Sequence, residues 1–219
     1  MKSNEELQKN VVDAINWEPL LQAAEIGVMT NRGVVTLTGS VNTYAKKNEA
    51  EQAAKNVAGV ATVLEDIKVV CGTNNSRPDA EIKNVIEDIF MWHWDIPTEK
   101  IKVIVENGWV FLSGQLEWNY QKEATKNALN NLIGITGITN NIKIISSSKD
   151  TIKKKDIEIA IERNCAIKNK DIRVYVVDNV VTLIGHVDSC YQKNEASRIA
   201  WNAPGVTQVQ NDLYIEFDD

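Results

Sequence analysis

The run Trp92-His93-Trp94 places one of the chain's two histidines between two indoles, and it is the segment that most invites a chemical reading. A histidine can carry a proton or ligate a metal, but ligation needs partner side chains at a matching spacing. None stands near His93, and His186 follows Gly185 at a strand exit far along the chain. Both histidines are therefore expected to be solvated. Cys71, Cys165 and Cys190 are odd in number, far apart and without a CxxC pair. That pattern fits three free thiols, with a Cys165–Cys190 bridge as the alternative. Glu49 and Glu195 fall at matching positions of a repeat, but Ala124 fills the third. They read as exposed helix positions rather than as an acid–base pair. There is no GxSxG, HExxH or Walker loop. No catalytic residue, metal site or cofactor is expected, and the chain reads as a binding protein rather than an enzyme.

The 219 residues are 43% hydrophobic and 25% charged, the balance of an ordinary globular protein. Collagen, disulfide miniprotein and disordered chain are excluded on that ground. A net charge of −6, spread as −2 over each third of the chain, argues against a nucleic-acid partner. Lys149, Lys153, Lys154 and Lys155 form the one basic cluster, interleaved with Asp150, Asp156 and Glu158. It reads as a solvated helix face, with contact to anionic lipid or an acidic partner as the alternative. No stretch approaches the roughly 18 apolar residues of a membrane-spanning helix. The start, MKSNEELQKNVVDAINW, lacks the apolar run of a secretory signal. A cytoplasmic location is expected from that, or a periplasmic one if a leader has been trimmed.

Internal repetition organises everything else. Gly39, Gly114 and Gly185 are each followed 20 residues later by Gly59, Gly134 and Gly205. Six residues before them stand Gly33, Gly108 and Asn179, and Lys47, Lys122 and Lys193 share one further position. The copies align without a gap from turn to last strand. Each opens with a helix, expected over Glu5–Asn16, Asp79–Trp92 and Thr151–Asn164, the second capped by Asp79. An alternating strand follows (Ile26/Val28/Thr30, Ile101/Val103/Val105, Ile172/Val174/Val176), then a tight turn in which Gly or Asn supplies a positive φ. A second strand, a second helix from about Thr43, Asn119 and Ser189, and a third strand complete the unit. A strand–helix–strand crossover makes the last two strands parallel. The expected fold is α+β: three tandem α-β-β-α-β modules, each a three-stranded mixed sheet with two helices on one face. They are placed at 1–72, 77–146 and 149–219, with polar linkers at Cys71–Arg77 and Ser146–Asp150.

The stretches GVVTLTGSV…GVATVLEDIKV, GWVFLSGQL…GITGITNNIKI and NVVTLIGHV…GVTQVQNDLYI resemble the BON domain, three times over and across nearly the whole chain. The resemblance implies attachment to membranes by contact with phospholipid, in an envelope or osmotic-stress setting, without catalysis. Its motif is core and turn, so it transfers no binding residue.

Candidate binding residues come instead from strand alternation, which points every second side chain away from the helices. The second copy stands out because Trp109 and Phe111 replace Val34 and Thr36. With Lys102, Ile104 and Lys143, and with Tyr175 of the third copy, they are the expected lipid- or partner-binding set. The rival is a protein–protein scaffold, or a homo-oligomer, in which these faces bury one another or a partner; a small-molecule or polysaccharide sensor lodged between modules is a third reading. Trp17 and Trp92 end the first helix of two copies and are expected to pack into a domain corner.

Overall fold

The computed structural model describes residues 3–22, 24–70, 72, 77–145, 152–167 and 171–215. Module 1 contains α1 (Asn4–Trp17), β1 (Glu25–Asn31), β2 (Val34–Val41), α2 (Tyr44–Lys55) and β3 (Thr62–Val69). Module 2 contains α3 (Asp79–Trp92), β4 (Ile101–Glu106), β5 (Trp109–Leu116), α4 (Asn119–Asn127) and β6 (Gly137–Ile144). Module 3 contains α5 (Lys154–Arg163), β7 (Arg173–Val177), β8 (Val180–Val187), α6 (Cys190–Trp201) and β9 (Gln208–Ile215). Each sheet has its second strand in the centre, antiparallel to the first and parallel to the third.

The first helices bury one stripe spaced by four residues: Leu7, Val11 and Ile15 in α1, Ile82, Ile86 and Phe90 in α3, Ile157 and Ile161 in α5. That spacing keeps a single helix face on the sheet. Opposite them the central strands bury Val35 and Leu37, Val110 and Leu112, and Val181 and Leu183 completely. Hydroxyl caps start two crossover helices: Thr43 Oγ1 accepts from the Lys46 N–H at 3.4 Å and Ser189 Oγ from the Gln192 N–H at 3.2 Å. The repeated lysine ties the crossover helix to the last strand, through a Lys47–Glu65 ion pair at 2.5 Å and a Lys193 Nζ bond to the Leu213 carbonyl at 2.6 Å. Burial pulls the Lys47 ammonium below its ordinary pKa, with Glu51 and Asp66 opposing.

Several local expectations change. Helix α5 begins at Lys154, and Thr151 lies outside the described residues, as do Cys71, Lys149, Asp150 and most of both linkers. Helix α4 ends at Asn127, seven residues before Gly134. Asp79 does not cap α3, whose N-cap is Pro78. Its carboxylate instead accepts from the Asn107 and Gly108 N–H groups, each at 2.8 Å, because the tight turn leaves those two donors without strand partners. Asn4 does the same in module 1, its Oδ1 accepting from the Arg32 N–H at 3.0 Å. In the third turn the positive φ falls on Asp178 (52°), and Asn179 spends its side-chain amide on the Gly205 carbonyl at 2.6 Å. Glu195 is half-buried and held by Arg198 and Asn164, rather than exposed; the Arg198 hydrogen bond draws its carboxyl below the usual pKa.

The modules interlock at the ends of their crossover helices. Tyr44 of α2 and Trp201 of α6 both pack with the core of module 2, and Trp201 also serves the core of module 3. Burial, then Glu51, raises the pKa of the Tyr44 phenol. The Cys190 N–H donates to the Val60 carbonyl across modules 3 and 1, at 3.2 Å, and its thiol is free.

The same repeated glycine in each module is demanded by a close approach to backbone. A Cβ on Gly39, Gly114 or Gly185 would stand 2.3, 2.1 or 2.1 Å from the carbonyl oxygen of Glu25, Lys100 or Asp171, at φ of 130°, 154° and 144°. Neither the overlap nor the backbone conformation tolerates a side chain. Gly114→Ala is expected to destabilise the protein by about 2–3 kcal/mol, on the order of a 10 °C fall in melting midpoint for a unit of this size. Gly72→Ala, with open space at its Cβ, leaves calorimetric melting unchanged. Equal melting of both variants would contradict this account of the repeated glycine.

Candidate binding surfaces

Both helices of a module lie on one side of its sheet, so the other side is open. In module 2 the strand register arranges that face in rows. Glu106, Trp109 and Gly137 form the row at the hairpin end, and Ile104, Phe111 and Thr139 the next. Lys102, Ser113 and Asn141 follow, then Gln115 beside Lys143. Five of the six expected residues thus share one face: Lys102, Ile104, Trp109, Phe111 and Lys143. Tyr175 belongs to a different sheet, where it pairs with Thr182 and has the Lys154 ammonium 5.7 Å from its ring centroid.

The lysines of this set lie away from Trp109, Lys102 pairing with Ser113 four residues along β5. Lys143 lies six residues along β6 from Gly137, about 20 Å at 3.3 Å per residue. The face therefore carries its large apolar side chains, with Glu106, toward the hairpin end and its lysines toward the other. Nor is Trp109 a free indole. Its ring lies on Gly137, where a Cβ would come within 2.7 Å of the ring, and its Nε1 donates to Thr139 Oγ1 at 2.8 Å. Thr62 and Gln208 occupy the Gly137 position in the other modules, so only the second has an aromatic with room to lie flat. Sequence reading passed over Gly137 and Thr139; a small residue opposite a tryptophan was the available signal.

The helix-end tryptophans correct a second expectation. Trp17 is 85% exposed and Trp92 89%, so neither packs into a domain corner. Each stands two residues past the inward stripe of its helix, just before the chain turns toward the sheet. Met91 and Trp94 are exposed as well, the latter at 92%, making Met91–Trp94 a protruding apolar tip. His93 is exposed there, with Nδ1 3.6 Å from Asp95 Oδ1. His186 lies against Tyr214 of the third open face, the ring centroids 5.5 Å apart and the planes tilted by 47°. Among the described residues no three His, Cys, Asp or Glu side chains gather as a metal site, and no helix is long and apolar enough to cross a membrane.

The structure is thus three α-β-β-α-β modules in tandem, each with one open sheet face and one close-approach glycine at Gly39, Gly114 or Gly185. The chain belongs to the BON domain family, which matches residues 3–71, 78–146 and 149–216. It is similar to the osmotically-inducible protein Y of Escherichia coli (strain K12), with 26% identity over 133 residues, 56% of this chain and 63% of that protein. It is also similar to the 21 kDa hemolysin of Actinobacillus pleuropneumoniae, with 28% identity over 129 residues, 58% of this chain and 64% of that protein. The chain therefore spans somewhat less than two thirds of the length of these relatives. Among solved structures, the C-terminal domain of CdsD, the structural protein of the type III secretion system of Chlamydia trachomatis, matches 98% of this chain and 100% of its own. The identity is 15% and the TM-score 0.26, so that likeness carries no functional weight.

The seating of Trp109 has a direct readout. In a ¹⁵N-correlated spectrum its indole N–H is expected to exchange slowly with water in the wild type. Gly137→Ala and Thr139→Val should each expose it while the Trp201 signal stays protected. An unchanged Trp109 signal in both variants would show that neither residue holds the ring.

Proposed function

We propose that this protein is a non-enzymatic binding protein that associates with phospholipid surfaces, and that its first contact is the Met91–Trp94 tip of module 2, seconded by Trp17 of module 1. The observation that carries the reading is the exposure of Trp92 and Trp94 at 89% and 92%. Tryptophan favours the headgroup boundary, where the ring leaves water and the N–H keeps a polar partner. Removing about 100 Å2 of each indole from water contributes on the order of 2.5 kcal/mol. Family membership supports a non-catalytic, membrane-facing role, and the relatives named for osmotic induction and for haemolysis support an envelope setting.

The charge distribution shapes the expected lipid preference. Glu87, Asp88 and Asp95 lie close in sequence to the tip, and the whole chain is −6. Attraction to anionic headgroups needs local positive charge, so insertion rests on the apolar term and is insensitive to salt. The open face of module 2 supports a second contact. Its apolar end, Ile104, Trp109 and Phe111, and its basic end, Lys102 and Lys143, suit a protein partner that the membrane-bound chain holds.

Flotation with neutral and anionic vesicles, at low and high salt, tests the assignment. Trp92→Ala with Trp94→Ala is expected to weaken flotation at least tenfold, with little effect of salt or headgroup charge, whereas Trp109→Ala floats like the wild type. Loss confined to Trp109→Ala would move the contact to the sheet face. Absence of flotation by the wild-type chain would refute the membrane reading.

A further inference from the structure

The three crossover helices meet their neighbours at equivalent starting positions, and one of the three is filled differently. Tyr44 begins α2 and is buried with the core of module 2. Cys190 begins α6 and is buried, its N–H bonded to Val60 of module 1. The equivalent residue of α4 is Asn119, short and polar, and there a cleft of about 650 Å3 opens between modules 2 and 3. Its polar lining includes His93, Asp95, Tyr120 and Glu123 from module 2 and Arg198 and Asn202 from module 3. Asn119, Glu123 and Asn127 are four residues apart and present one polar stripe along α4. Where the other junctions are closed by a large or apolar side chain, this one is lined with hydrogen-bonding groups.

The chemistry of the lining narrows the ligand. Asp95 Oδ1 is buried and has no hydrogen-bond partner, the His93 Nδ1 standing 3.6 Å away, so it is an acceptor that a ligand hydroxyl can satisfy. Glu123 adds a second carboxylate, and the amides of Asn119, Asn127 and Asn202 can both donate and accept. Tyr120, 49% exposed, offers a ring face at the wall. Arg198 is already engaged through Nε and Nη2 with Glu195, at 2.8 and 2.6 Å, so its charge is matched and it is not a free anion receptor. An anionic ligand would meet two carboxylates, and among the described residues no three acidic or imidazole groups, His93 included, gather closely enough to hold a metal ion. A neutral, hydroxyl-rich ligand satisfies all of these groups: its hydroxyls donate to Asp95 and Glu123 and exchange bonds with the amides, and its C–H face lies on Tyr120.

We propose that the cleft between modules 2 and 3 binds a neutral carbohydrate. His93 belongs both to the tip assigned to the membrane and to the cleft wall, and the test, which uses no lipid, reads the cleft alone. Titration calorimetry of the full chain with maltotriose, cellotriose and tri-N-acetylchitotriose is expected to show saturable binding of at least one trisaccharide. Tyr120→Ala and Glu123→Gln should each weaken it at least tenfold. Asn119→Tyr, which places at this junction the side chain that fills the equivalent one, should abolish it without lowering the melting midpoint. No saturable binding of any of the three at millimolar concentration would overturn the proposal. So would binding that survives Asn119→Tyr, or saturable binding of spermidine or inorganic phosphate with no response to the sugars.

Discussion

Two helices and three strands can bury only one side of a sheet, and both the open faces of this protein and the tight closure of their covered sides descend from that shortage. The right-handed crossover from the second strand to the third puts α2, α4 and α6 on the same side as α1, α3 and α5. The opposite face of each module is left with half-exposed apolar side chains: Met29 and Leu64, Ile104 and Trp109, Tyr175, Ile184 and Tyr214. The covered side must then be closed tightly by few residues. This explains why a close-approach glycine recurs at Gly39, Gly114 and Gly185, and why Asn4 and Asp79 reach from a helix start to hold the hairpin turn.

Much of the fold was legible because it is written in local spacing. The four-residue stripe of Ile82, Ile86 and Phe90 and the alternation of Val103 with Lys102 and Ile104 each state their own geometry. Repetition multiplied that signal threefold, so register could be read from glycines alone. The surfaces were less legible, for three physical reasons. Apolar character is the same in a core and on an exposed tip, so Trp17 and Trp92 read as buried when they are almost bare. Proximity on a sheet depends on cross-strand pairing, so grouping Lys143 with Trp109 in one set did not show that the two lie at opposite ends of the face. Contacts between modules have no period at all, which is why the roles of Tyr44, Trp201 and Asn119 came only with the three-dimensional arrangement.

The three copies have kept one scaffold and diverged where the scaffold leaves freedom. At the end of the first helix, modules 1 and 2 carry Trp17 and Trp92, where module 3 has Arg163. On the open face, the second alone pairs an indole with a glycine. At the crossover start, Tyr44 and Cys190 close their junctions and Asn119 leaves one open. Module 2 is therefore the one in which tip, face and cleft are all specialised, and the outer two serve in part to frame it.

The central claim, that the Met91–Trp94 tip meets lipid, is tested most directly by paramagnetic broadening of the six tryptophan indole signals with headgroup spin-labelled phospholipid in nanodiscs. The account predicts that Trp92 and Trp94 lose most of their intensity while Trp109 and the core residue Trp201 keep theirs. Broadening of Trp109 with Trp92 and Trp94 spared, or no broadening at any indole, would contradict it.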